Sequence, residues 1–305
     1  MKGKVIMRNG RTVTILVIII TIFGLGAAAA GIFSAGGPGE YEYISIRGET
    51  VTIYGKGIYH HMSAEVAPQG IAQDFVTLFI GIPMLLLSLY FARKGSIKGR
   101  ILLAGTLGYF LVTYLFYLVM AMYNYLYLVY VLLLSASFFG FMLTLMSFNV
   151  ENLKHYFDNK LPVKLIGGFL IFNSLCIALL WLQVVVPPLL TGSMPVQVEH
   201  YTTLIVQGLD LALLLPLAFI AGVLIIRKAP MGYLMASVYL VFLSILMTAL
   251  VAKIIAMKLL GLNVFPVIII IPLINLFTVF CLTICLKNIN ENIVKERSPF
   301  QISLN

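Results

Sequence analysis

Apolar residues along this chain come in long unbroken runs, separated by short polar stretches that hold nearly all the charge. A bilayer's hydrocarbon is about 30 Å thick, and a helix rising 1.5 Å per residue needs roughly 20 apolar residues to cross it. Runs of that length predict eight helical spans, at about 12–34, 70–92, 101–122, 125–148, 164–186, 202–226, 231–257 and 264–286. The expected fold class is therefore all-α, a polytopic helix bundle embedded in lipid.

One polar stretch is longer. Between 36 and 69 the composition turns to Gly, Tyr, Glu and Thr, and Tyr41, Tyr43, Ile44, Ile46, Val51, Ile53 and Tyr54 fall around an Arg47-Gly48-Glu49 turn. That pattern predicts a small β-hairpin, which must rest on something larger because two strands alone are marginal. From Tyr59 to Ala67 a short helix ended by Pro68 is expected, with His61 and Glu65 one turn apart on one face. Hairpin and helix would form a cap over one end of the bundle.

A loose echo runs through the spans. Gln69-Gly70, Asp74, Pro83 and Arg93-Lys94 in the second span return in the sixth as Gln207-Gly208, Asp210, Pro216 and Arg227-Lys228. This points to two four-span halves, 1–148 (with the 36–69 loop) and 164–287, joined by a 149–163 loop and followed by a 288–305 tail. An even number of spans per half would make the repeats parallel, related by an axis along the membrane normal.

Composition and charge sharpen this picture. The chain is 61% hydrophobic and only 10% charged, where soluble domains average about 25% charged, so a soluble fold is excluded. A net charge of +9 looks like a nucleic-acid signal until it is placed. Lys2, Lys4, Arg8, Arg11, Arg93, Lys94, Lys98, Arg100, Lys154, Lys160, Lys164, Arg227, Lys228, Lys287, Lys295 and Arg297 all fall on one side of an eight-span topology. Arg47, Lys56, Lys253 and Lys258 fall on the other. The charge thus encodes orientation rather than a nucleic-acid surface, and the positive-inside rule puts both termini in the cytoplasm of a plasma-membrane protein. The first span also resembles a signal peptide, with its basic start and Ala27 to Ala30, but its apolar stretch is longer than a signal core.

Chemistry inside a membrane is marked by groups that hydrocarbon disfavours. Asp74 and Asp210 lie roughly 27 and 24 Å along their helices from the basic end, at 1.5 Å per residue, just below the opposite interface. Gln73 and Gln207 share that depth, and Lys253 of the seventh span can reach the same layer. These five residues are the expected binding site for a small polar or cationic solute or a proton, with the two acids facing a shared hydrated interior. The competing role is helix capping or ion pairing with Lys253.

His61, Glu65, Glu199 and His200 are the ligands a divalent metal would find, but no HExxH or other tight spacing is present, and no metal or cofactor is expected. Cys176, Cys281 and Cys285 fall inside spans and read as packing residues. Tyr123 to Tyr130 fit an interfacial aromatic belt, while Phe110, Tyr114 and Tyr117 share a deeper helix face. With no nucleotide-binding pattern, three functions stay open: solute binding or translocation at the acids, a membrane sensor or assembly partner using the 36–69 loop, and a metal-dependent membrane enzyme.

Overall fold

A computed structural model describes residues 9–291; Lys2, Lys4, Arg8, Lys295, Arg297 and most of the 288–305 tail lie outside the described residues. The chain is a multi-pass, all-α membrane bundle. Its eight apolar helices are α1 (Gly10–Phe33), α2 (Ala67–Arg93), α3 (Ile97–Met120), α4 (Tyr127–Leu145), α5 (Val163–Thr191), α6 (Ile205–Ile226), α7 (Pro230–Leu259) and α8 (Val267–Lys287). Leu, Ile, Val and Phe cover their outer faces, as hydrocarbon requires.

The two most enclosed helices, α3 and α7, cross at the centre. Their approach is close because Gly105 has no side chain: a Cβ there would sit 2.3 Å from that of Val241. Around this pair, α2 packs on α3 and α7, α4 on α3, α6 and α8 on α7, α1 on α4 and α2, and α5 on α6. The α5–α6 contact is also a glycine contact, since a Cβ on either Gly167 or Gly222 would meet the other's carbonyl oxygen. Small residues that let backbones touch substitute for the hydrophobic effect, which gives helices in lipid no reason to associate. Asn275 adds an interhelical bond, donating from Nδ2 to Thr248 Oγ1 across 3.3 Å.

Two spans are interrupted, and in the same manner. In α2 an α-helical stretch, Ala67–Val76, gives way to a π-helical stretch, Thr77–Gly81, and then to α-helix again, Ile82–Arg93. In α6 the order is Ile205–Leu209, Asp210–Leu214 and Leu215–Ile226. Proline is the cause in each. Pro83 carries no N–H for the Phe79 carbonyl one turn back, and Pro216 none for that of Ala212, so the ladder slips by one residue there.

The 36–69 segment forms the expected hairpin, β1 (Tyr41–Ile44) pairing antiparallel with β2 (Thr50–Ile53). The hairpin does not stand alone. Tyr54 N–H donates to the Met62 carbonyl and Ala64 N–H to that of Thr52, while Val51 and Ile53 are the buried side chains of β2. At its base Gly55, at φ +68°, lies so close to Gly39 that a Cβ would fall 1.7 Å from its carbonyl oxygen. Arg47 reaches across the bundle end to the α5–α6 connection, donating to the Glu199 and Thr202 carbonyls.

The expected short helix at Tyr59–Ala67 is not formed. Gly57–Tyr59 makes a single 3-10 turn, and Pro68 stands in the first turn of α2 rather than ending a helix before it. A first helical turn is where proline fits, because its missing N–H would have no partner there.

At the opposite end, where the Arg-Lys pairs lie, Glu291 fastens the segment after α8 to the start of α3. Its Oε1 accepts from Ser96 Oγ (2.6 Å) and from the Lys98 N–H (2.9 Å). An acid at a helix N-terminus is favoured by the exposed amides there.

Candidate functional site

Asp74 is buried in the second turn of α2. One carboxylate oxygen accepts the Tyr59 hydroxyl at 2.5 Å, and the other accepts the Tyr117 hydroxyl at 2.9 Å. Tyr59 comes from the cap and Tyr117 from α3, so this single acid ties three elements together. Burial, followed by the nearby Asp74 carboxylate, pushes the Tyr59 phenol well above its ordinary value, which keeps it a proton donor. The fourth side is closed by α1, where a Cβ on Gly31 would fall 1.7 Å from an Asp74 oxygen. No space is left there for a solute.

Gln73, the next residue, is likewise tied to α3. Its amide donates to the Tyr109 hydroxyl (2.7 Å) and to Thr113 Oγ1 (3.2 Å), and Thr77 Oγ1 lies 2.9 Å from the same Tyr109 hydroxyl. Among the described residues the amide oxygen of Gln73 has no partner. Behind these groups Phe110, Tyr114, Tyr117 and Tyr130 pack ring against ring, 5.5 to 6.3 Å between centroids. The deep aromatic face of the third span is therefore interior.

Asp210 opens the π-helical stretch of α6 and accepts the indole N–H of Trp181, on α5, at 2.8 Å. It faces a cavity of about 140 Å³ enclosed by α2, α3, α6 and α7 and roofed by Tyr59, Met62 and Val66 of the cap and its junction with α2. Gln69, Gln73, Thr113, Tyr117 and Lys253 supply the other polar groups of its wall. Lys253, on α7, lines the same cavity as Asp210. Among the described residues, however, it makes no contact ion pair and no hydrogen bond. Neither acid caps a helix, because their partners are tyrosine and tryptophan side chains rather than backbone amides.

Four of the five expected site residues thus gather around one volume, though not as two acids facing each other. Asp210, Lys253 and Gln73 line it directly; Asp74 stands behind the wall and touches it only through the tyrosine hydroxyls that Asp74 holds. Gln207 is buried on α6 outside the lining. Counted from Pro83 and Pro216, Asp210 occupies the place of Thr77, and the place of Asp74 belongs to Gln207. Tyr59 and Trp181, which hydrogen-bond the two acids, were not singled out from the sequence, and Tyr117 was singled out there only as part of the deep aromatic face.

His61, Glu65, Glu199 and His200 do not assemble a metal site: no group of three His, Cys, Asp or Glu side chains able to hold an ion occurs among the described residues. His200 and His61 meet in the cap instead, the His200 ring nitrogen lying 2.9 Å from the His61 carbonyl. Burial, then His60 and His200, lowers the His61 value, and burial raises that of Glu199. Comparison with family models, curated proteins and solved structures finds no match to this chain.

Proposed function

We propose that this chain binds or translocates a small polar or cationic solute in the cavity between α2, α3, α6 and α7, with Asp210 as the residue that receives its positive charge. What carries the reading is the pairing of opposite charges that do not satisfy each other. Among the described residues Asp210 and Lys253 line the same cavity without contact, although intramembrane ions normally pair. A ligand with complementary groups would relieve both. Asp74 is a positioning residue in this scheme, holding Tyr59 and Tyr117 in the wall.

The twin interruptions support a parallel two-unit architecture, 1–148 and 164–287, in which α2 and α6 are counterparts. The interval from π-helical stretch to π-helical stretch, from Pro83 to Pro216 and from Gly99 to Gly232 is the same. Both glycines press on the preceding helix, Gly99 on Phe91 and Ala92, Gly232 on Leu224 and Ile225. Interrupted helices at matching places in two halves are a signature of transporter sites. The excess of Arg and Lys at the end away from the cap supports a cytoplasmic placement of that end and an outward-facing cap in a plasma membrane.

Uptake or binding of amine-bearing solutes by protein in proteoliposomes tests the proposal. Asp210→Asn is expected to lower affinity at least tenfold with membrane abundance unchanged; wild-type behaviour of that variant and of Lys253→Gln overturns it. A second reading, a sensor or assembly partner, is favoured by one observation: all four residues of β1 are exposed, and Ile46 beyond it is 91% exposed. Deleting residues 40–49 separates the two, since recovery of a partner would be lost while solute binding persists.

A further inference from the structure

Asp210 and Lys253 differ from the acid buried near them. Asp74 is 1% exposed and both its oxygens are taken by tyrosine hydroxyls, whereas Asp210 and Lys253 are each only partly buried. Trp181 takes one Asp210 oxygen; among the described residues the other oxygen and the Lys253 ammonium have no partner. Two opposite charges thus stay open toward one volume.

The helices set these charges in separate rows of the wall. On α6 the lining runs away from the cap as Val206, Asp210 and Leu214, about one residue per turn; on α7, which runs the other way, it climbs toward the cap as Leu246, Leu250 and Lys253. Lys253 is therefore the cap-end member of its row, and Asp210 the middle member of its own. Leu214, Leu246 and Leu250, with Val112 and Phe116 of α3, make the adjoining wall apolar. Short hydrocarbon fits beside the charges.

The size and sign of the space restrict what can enter it. The cavity measures about 140 Å³, and a protein cavity of about 150 Å³ takes a benzene-sized guest, roughly six heavy atoms. A cation alone at Asp210 would share this space with the Lys253 ammonium, and an anion alone at Lys253 would share it with the Asp210 carboxylate. Like charges repel strongly where water is scarce. A molecule carrying both signs avoids both conflicts and gives each group the partner that ions inside a membrane require.

Resting on the solute-binding reading above, we infer that the ligand is a small zwitterion, an amino acid of about six heavy atoms, its cationic nitrogen at Asp210 and its acidic group at Lys253. Lys253 is then the specificity-determining residue, because it turns plain cations away.

The test uses the full chain in nanodiscs, with binding followed by isothermal titration calorimetry at neutral pH. The probes are glycine, β-alanine and 4-aminobutyrate, which carry both charges at increasing separation, and propylamine and propionate, which carry one charge each on the carbon chain of β-alanine. At least one zwitterion is expected to bind wild type tenfold or more tightly than either single-charge probe. Asp210→Asn and Lys253→Gln are each expected to erase that preference, with melting temperature recorded for both. The wild-type comparison needs no substitution, so it decides the outcome even where a variant fails to fold.

If propylamine binds as tightly as the best zwitterion, or if no zwitterion binds, the zwitterion inference fails; propylamine binding that Asp210→Asn weakens then leaves the cationic-solute reading standing. Propionate binding as tightly as the best zwitterion also overturns the inference. Zwitterion binding that neither folded variant changes would place the ligand elsewhere, and both readings fall.

Discussion

Two tyrosine hydroxyls decide what Asp74 can be. A buried carboxylate without donors would be intolerable in this setting, whereas one gripped at 2.5 and 2.9 Å is a structural anchor. Tyr117→Phe removes one grip and leaves a packed ring, so it should cost about 1.5–3 kcal/mol, the worth of a hydrogen bond to a charged group. A fall in melting temperature of the detergent-solubilised protein would register it. Tyr59→Phe should act alike, and a variant as stable as wild type would show that Asp74 is held by other means. The acids were legible in the sequence because charge inside an apolar run stands out. Their partners were not: Tyr59 lies in the cap and Trp181 on another span, and no spacing along the chain announces a bond across 15 or 29 residues.

At the level of elements, all eight spans were readable from apolar run length, with ends off by a few residues where loops are themselves apolar or aromatic. The interruption of α2 and α6 was readable only in part. Matching the two spans acid to acid did not align their interruptions; counting from Pro83 and Pro216 does, because a π-helical slip follows from the missing proline N–H. Pro216→Ala restores a donor to the Ala212 carbonyl. It should convert Asp210–Leu214 to α-helix and turn Asp210 relative to the rest of α6. Solute affinity, measured by binding in proteoliposomes, is expected to fall at least tenfold while the protein stays folded. An unchanged affinity would mean that the slip has no part in presenting the acid. The failed helix at Tyr59–Ala67 has a related cause: proline ends a helix from within but opens one from its first turn, and composition alone does not distinguish the two.

For the whole molecule, the cap is more than a roof. Arg47 holds the α5–α6 connection, Tyr59 holds Asp74, and the Tyr201 hydroxyl lies 3.3 Å from the Ser63 amide, so the hairpin bridges regions far apart in sequence. Arg47→Ala should release one end of this bridge. Backbone amides of β2 and the 60–66 turns are expected to exchange hydrogen at least tenfold faster, with the span amides unaffected. Equal exchange in the variant would show that the cap is held by its own packing. None of these long-range ties was visible in the sequence, which showed that a hairpin had to rest on something but not on what.

The bond between Trp181 and Asp210 has a practical consequence. Trp181 is the chain's single tryptophan, so the emission of the unlabelled protein comes from an indole whose N–H points at the residue proposed to receive the ligand. Any occupant that draws the carboxylate away should shift that emission to the blue, and Asp210→Ala should mimic the shift without it. The molecule thus carries its own optical reporter, and titrating candidate compounds against intrinsic fluorescence offers a direct route to the one it takes.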